Sequence, residues 1–400
     1  MQERGRVKHP VAISHQRRRW LHCLGCGVML FGAVSCTVHR ARIELSGPSG
    51  VHAWGQSRRD PANTAFVPGP ARVPDTLLWE AKTNGEVRAE PAADRGVIVA
   101  SGWDRRLYIF NARTGRRVWR QEFKAPPTGV VFVGDSLAFT LNDQRSRFLL
   151  CDLRTQRELV SRPLPRTAVP PLRLPDGWLW QSYSGMVART RDAGDTVWSV
   201  QLQGPLVAKP AWSDERVYVV TGGKKVFCLS ADSGRVVWEH SSAGGHAAPP
   251  AVDERLLYFG SLDSNFYALD AGTGEMRWFF HTNGQIFTAP AIDEAGVYFG
   301  SNDGSFYALD KQTGHPQWSV AAGMVLNSSP TVWGDVVIFG TSDGRLLFAE
   351  TATGAVIREF RTQGSIYSSP VVYDGRVYIT DTRRRLYCFG PAAQTSQRTK

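Results

Sequence analysis

The sequence predicts an all-β fold: an eight-bladed β-propeller of four-stranded antiparallel blades, its ring closed by an N-terminal strand. Three observations carry this. One phrase recurs forty residues apart, as "SLDSNFYALDAGTGEMRW" (Ser261 to Trp278) and "SNDGSFYALDKQTGHPQW" (Ser301 to Trp318). A glycine in a turn before a tryptophan slot marks the same register at Gly115, Gly194, Gly234, Gly274, Gly314 and Gly354. A proline opening a hydrophobic run marks it independently at Pro91, Pro170, Pro210, Pro250, Pro290, Pro330 and Pro370.

Each marker counts eight once its gaps are filled. The tryptophans are Trp79, Trp119, Trp198, Trp238, Trp278 and Trp318, with degenerate slots at Leu159 and around Ile357 to Phe360. Gln156 stands where one glycine is expected, and "GVVFV" (Gly129 to Val133) stands in for one proline. A period of about forty holding several short strands is the mark of a propeller blade. In the sixth unit "APAID", "GVYFGS", "SFYALD" and "PQWSV" are short, rich in Val, Tyr, Phe and Ile, and separated by turn residues. Asn302-Asp303-Gly304 and Ser342-Asp343-Gly344 are hairpin turns in which glycine takes a positive φ. The recurring tryptophan is read as blade-on-blade packing, burying on the order of 200 Å² each time. A ligand-stacking ring of indoles is disfavoured because the residues recur in every blade instead of converging. Trp79 precedes the first proline marker, and the last unit, Pro370 to Phe389, stops before its tryptophan strand. The strand "TLLWEA" is therefore expected to complete the last blade beside Tyr387 and leave no free edge.

The expected organisation is a signal peptide over 1–35, a tether and lead-in over 36–70, the propeller over 71–390 and a polar tail over 391–400. Arg17, Arg18 and Arg19 precede an apolar stretch from Trp20 to Val34, too short for an ordinary spanning helix and followed by small residues and Cys36. Ala33-Val34-Ser35-Cys36 resembles a bacterial lipobox, which makes Cys36 the expected lipidation site. Ala33 and Ser35 equally suit ordinary cleavage after Ser35, and "QRRRWLH" also resembles a twin-arginine signal. Removing 1–35 takes away six basic side chains and one acidic, so the formal charge of +11 falls by five. The remaining cations are scattered over turns, "RRR" at Arg383 to Arg385 being the one local run, so nucleic-acid binding is not expected. Cys151, Cys228 and Cys388 fall on the second, fourth and eighth blades, too far apart to bridge, and are read as small buried thiols.

"ALDAGTGEMRW" and "ALDKQTGHPQW" resemble the A-x-D-x-x-T-G-x-x-x-W repeat of the pyrroloquinoline-quinone (PQQ) type propellers, and the resemblance covers 75–390. That family contains quinoprotein dehydrogenases and non-enzymatic, BamB-like outer-membrane assembly lipoproteins, and fold does not choose between them. A dehydrogenase needs a calcium-type ion beside the quinone, hence oxygens converging near the axis. The loops expected there offer only Glu86, Arg88, Glu90, Lys209, His246 and Asn327, and acidic oxygens come from one blade. No catalytic, cofactor or metal residues are assigned, and PQQ with calcium is not expected. The resemblance instead implies a lipid-anchored envelope scaffold on the periplasmic side of an outer membrane, a monomer within a complex. Its implied partner is a protein: the barrel-assembly insertase or nascent outer-membrane proteins. The alternatives are a PQQ-dependent dehydrogenase, or a periplasmic or surface propeller binding another protein or glycan. The leader "WGQSRRDPANTAF" (Trp54 to Phe66) resembles the lead-in of generic PQQ-like propellers more than that of BamB.

Overall fold

The computed structural model describes residues 43–45, 55–213 and 215–392. Among these there is no helix; the strands form eight antiparallel blades, each consecutive in sequence from innermost to outermost strand. Blades 1 to 7 span 92–122, 131–163, 172–201, 211–241, 251–281, 291–321 and 331–361. Blade 8 combines Val371–Tyr373, Arg376–Asp381 and Arg385–Gly390 with the N-terminal strand Thr76–Lys82 on its outside. The closure is the one the sequence predicts: Trp79 lies opposite Cys388 and Glu80 opposite Tyr387, with an Arg385–Glu80 ion pair across the joint. The expected signal peptide over 1–35, the expected lipidation site Cys36 and the tail beyond Ala392 lie outside the described residues.

The strand sequences follow from where each strand sits. The second strands, such as Gly296–Gly300 (GVYFG), are buried on both faces by neighbouring blades, so they read as unbroken apolar runs without alternation. Phe266 stacks on Phe299 at 4.0 Å and Phe306 on Phe339 at 3.9 Å, one blade to the next. The outermost strands alternate instead, as in Met276–His281, where Trp278 is buried and Met276 and Phe279 are exposed.

Glycine and tryptophan form one device repeated around the ring. Trp238 of blade 4 lies on Gly274 of blade 5, so closely that a Cβ there would fall 2.6 Å from the indole, and its Nε1–H donates to Ala271 O at 3.1 Å. The same pair of contacts joins Trp79 to Gly115 and Ala112, Trp198 to Gly234 and Ala231, Trp278 to Gly314 and Lys311, and Trp318 to Gly354 and Thr351. The glycine φ values lie between +68° and +77°, so the turn and the indole both demand glycine. Trp119 faces the exception: blade 2 offers Gln156, held at φ 58°. There Ile43, 2 % exposed, joins the apolar cluster of blades 1 and 2, against which Trp119 packs. Between blades 2 and 3 the Arg162 guanidinium covers Gly194, and Phe148 packs on Trp178 and Trp180.

Strands alternate in direction, so the outer-to-inner connections and the hairpins between second and third strands share one face, here the upper face. On it, each hairpin donates one backbone N–H to the preceding connection, as Trp103 to Glu86, Tyr183 to Arg166 and Thr382 to Ser365, at 2.7 to 3.2 Å. The loops are thereby stapled together blade by blade. Cys151, Cys228 and Cys388 are buried free thiols, and burial pushes Cys151 and Cys388 up to about 12.

Candidate functional site

The ring's axis is filled by the chain's own lead-in. Ser57 to Val67 winds inside the innermost strands, and its carbonyls accept their free N–H groups in turn. Gly55 accepts from Phe132 in blade 2, Pro61 from Trp212 in blade 4, Ala62 from Val252 in blade 5, Thr64 from Ile292 in blade 6 and Ala65 from Val332 in blade 7. Phe66–Val67 then pairs in parallel with Val332 and Trp333. Arg58, 2 % exposed, donates to Pro290 O and Pro330 O, and Asn63, fully buried, donates to Pro210 O and Pro250 O. The proline markers therefore have a second role. Proline opens an edge strand where no N–H is needed, and in four of the markers, Pro210, Pro250, Pro290 and Pro330, the carbonyl is the acceptor for these two side chains.

This curve is tight. Arg58, Arg59, Asn63 and Ala65 all take positive φ, between 51° and 67°. The segment expected to be tether is, from Gly55 onward, an internal part of the ring. Nothing in its composition announces that: it is polar, rich in turn formers and lacks a strand pattern. The signal that could have found it is the pair Arg58 and Asn63, long or amide donors placed five residues apart ahead of a ring of proline carbonyls.

The six groups singled out in the axial loops separate into two sets. Glu90 accepts the Arg58 backbone N–H at 2.9 Å, and the buried Lys209 ammonium donates to Ser57 O, so both hold the lead-in. Burial pulls Lys209 down to about 8 and Arg58 to about 10, while Glu90 and Asp60 act the other way. His246 is buried against the edge of Phe259; its Nδ1–H donates to Gly260 O at 3.3 Å and Ser242 Oγ is 2.8 Å from Nε2. Burial lowers it to about 4, which keeps it neutral and structural. Glu86 and Arg88 pair at 2.8 Å on the upper face, and Asn327 is half-buried. They do not converge.

A quinone with its divalent cation does not fit these residues. The axis is occupied by backbone from 55 to 67, the one axial-loop carboxylate that reaches it is already held by Arg58, and two buried cations stand where oxygens would have to gather around a third. Among the described residues no group of three His, Cys, Asp or Glu side chains is placed to hold a metal ion.

What the ring does present is surface. On the upper face a cleft of about 290 Å³ between blades 8, 1, 2 and 3 is bounded by Arg88, Trp103, Asn142 and Pro170, with Trp103 60 % exposed. On the rim, the outermost strands show Val236 and Val237, Met276 and Phe279, and Val356 and Ile357 to solvent, beside unpaired strand edges.

The family model described as outer membrane protein assembly factor BamB matches residues 73–169, 174–248 and 224–400. The chain belongs to this family. The matched segments exclude the axial lead-in. A curated BamB from Nitrosomonas eutropha is 38 % identical over 61 residues, a match spanning 15 % of this chain and 15 % of that relative. Among solved structures, BamB from Moraxella catarrhalis superposes with a TM-score of 0.67 at 18 % identity, covering 79 % of this chain and 99 % of that one. Quinohemoprotein alcohol dehydrogenase from Comamonas testosteroni gives 0.70 at 13 % identity, covering 84 % and 80 %. Likeness at these identities establishes the propeller and is shared by both branches.

Proposed function

We propose that this chain is a non-catalytic scaffold of a Gram-negative-type cell envelope, holding protein partners during assembly and insertion of outer-membrane β-barrel proteins. The observation that carries the reading is the filled axis: the place where a propeller enzyme of this type would need its cofactor is taken by Arg58, Asn63 and the backbone between them. Family membership supplies the process. The stapled upper loops and the exposed apolar rim of blades 4, 5 and 7 supply rigid surfaces for a partner, by side-chain contact or by strand addition. In this reading Cys36 carries the lipid anchor, the propeller faces the periplasm, and the partner is the barrel-assembly insertase or its nascent substrates.

The test is removal of the chain from its native host, with quantitation of outer-membrane barrel proteins, alongside a photo-crosslinking residue placed at Met276 or Phe279. Depleted barrels, restored by the parent chain, and adducts with the insertase are expected. Normal barrel levels with no insertase adduct would overturn the reading, and alcohol-dependent dye reduction after adding PQQ and calcium would favour a dehydrogenase.

A further inference from the structure

We propose that the upper face of blades 8 and 1 to 4 docks on a phosphate-bearing lipid surface, independently of any acyl chain on Cys36. The upper loops of this sector carry exposed Arg383 and Arg384 in blade 8, Arg88 in the connection to blade 1, and Arg105 in blade 1. They continue with Lys124, Arg145 and Arg166 around blade 2, and Lys224 in blade 4. The acidic residues among them, Glu86, Asp104, Glu122 and Asp143, are fewer than the cations; Glu86 pairs with Arg88, Asp104 with Arg106, and Glu122 with Arg105 and Arg106. The hairpins of blades 5, 6 and 7 also carry an aspartate, Asp263, Asp303 and Asp343, as blade 1 does with Asp104, but their tips are Ser264, Gly304 and Gly344, their one cation Arg345 is paired with Asp343, and the connections that follow them, 282–289, 322–329 and 362–369, contain no lysine or arginine.

Position strengthens the argument. The hairpin tip needs a positive φ, which Gly304 and Gly344 supply in blades 6 and 7. In blades 1, 4 and 8 the same position holds Arg105, Lys224 and Arg384 at φ 65° to 70°. A long cation there is conformationally unfavourable compared with glycine and contributes nothing to the core. Its effect is to carry charge to the outermost level of the face.

Two exposed rings stand at that level, each with a guanidinium over it: Arg88 lies 5.7 Å from the Trp103 centroid and Arg166 lies 4.9 Å from that of Tyr183. Trp and Tyr beside cations suit the headgroup layer, where the ring enters the boundary and the charge meets phosphate. The cations spread along an arc of hairpin tips on a flat face and do not converge in a groove, which matches a plane better than a peptide. The opposite face has the reverse sign at its inner turns, with exposed Asp176, Glu215, Glu254, Glu294, Asp335 and Asp374. The lower face also carries exposed arginines such as Arg116, Arg157 and Arg235, but there they stand among these carboxylates, so an anionic surface favours the upper face, which sets the orientation of the disc.

The test uses the full chain carrying Cys36→Ser and sedimentation with vesicles of phosphatidylcholine alone or with about a third phosphatidylglycerol. Binding is expected only with phosphatidylglycerol, and it should fall as salt screens the face. Arg105→Glu with Arg145→Glu and Arg384→Glu should weaken it about tenfold or more, and Trp103→Ala should weaken it without any charge change. The lower-face control, Arg116→Glu with Arg157→Glu and Arg235→Glu, makes the same charge change and should bind as the parent. Arg105→Gln with Arg145→Gln and Arg384→Gln supplies a milder variant if the reversal disturbs folding, checked by melting. Binding indifferent to phosphatidylglycerol, or equal loss in the upper and lower variants, overturns the proposal. So does capture of soluble polyglutamate with no vesicle binding, which would assign the face to an acidic protein. The scaffold reading stands or falls separately, on barrel levels in the native host.

Discussion

Gly274 and Gly323 both sit at positive φ, +77° and +69°, yet only Gly274 has an indole against it; nothing lies within 4 Å of a Cβ built at Gly323. Gly274→Ala must therefore move Trp238 as well as strain the turn, and is expected to destabilise by roughly 2–4 kcal/mol, against about 1 for Gly323→Ala. Denaturant unfolding of the two variants measures the difference, and similar losses would mean that the indole contact contributes little. His246 gives a second residue-scale expectation. Its pKa is lowered to about 4 in the fold, so the unfolded chain takes up the proton first as pH falls. The stability it contributes is complete above pH 6.5 and is lost between pH 6.5 and 4, by about 3 kcal/mol. Unfolding free energies at neutral and at acid pH should converge between parent and His246→Gln as the pH drops. A constant gap would show that the imidazole takes up its proton equally in the folded and unfolded chain.

At the scale of the blade, the repeat was legible because its markers report local necessities: a turn glycine, an indole, a proline at an edge. Blade 2 shows where that reading stops. Gln156 and Leu159 are visible as departures in the sequence, but their replacements are not: Val160, opposite Leu150, takes the register of the indole, and the 55 % exposed Leu159 is the bulge residue beside it. Ile43 comes from far outside the repeat, and Arg162 covers Gly194 from a position that holds Val200, Phe280, Val320 and Phe360 in blades 3, 5, 6 and 7. Hairpin tips were likewise half legible, since Arg105, Lys224, Ser264 and Arg384 take the positive φ that only glycine advertises. With no indole clamp, the outer strand Glu158–Pro163 should exchange its amide hydrogens faster than Met276–His281, the register shift being common to both. Equal protection of the two strands in native-state exchange would show that the substitute contacts hold blade 2 equally well.

For the whole molecule, the closure by Thr76–Lys82 could be read from strand bookkeeping, whereas the axial segment could not, because its contacts are backbone to backbone or made by single side chains such as Arg58 and Asn63, and leave no side-chain periodicity. Arg58 and Asn63 bind four blades between them, so Arg58→Ala is expected to cost about 3 kcal/mol or more by leaving Pro290 O, Pro330 O and Glu90 without their donor or counter-charge. Thermal unfolding checks this, and a wild-type midpoint would mean that water replaces the guanidinium. Deleting 71–82 should open an edge on Arg385–Gly390 and produce aggregation; a soluble, normally melting product would defeat the closure scheme. The path of the lead-in has a further consequence in time. Residues 55–82 leave the ribosome before the inner strands of any blade, yet their partners extend from Phe132 through Val332 to Gly390. They can be seated only after the last blade exists. A chain stopped anywhere before blade 8 leaves Thr76–Lys82 unmatched, so closure must wait for Arg385–Gly390, and the slowest contacts to form are those made by a segment synthesised ahead of every blade.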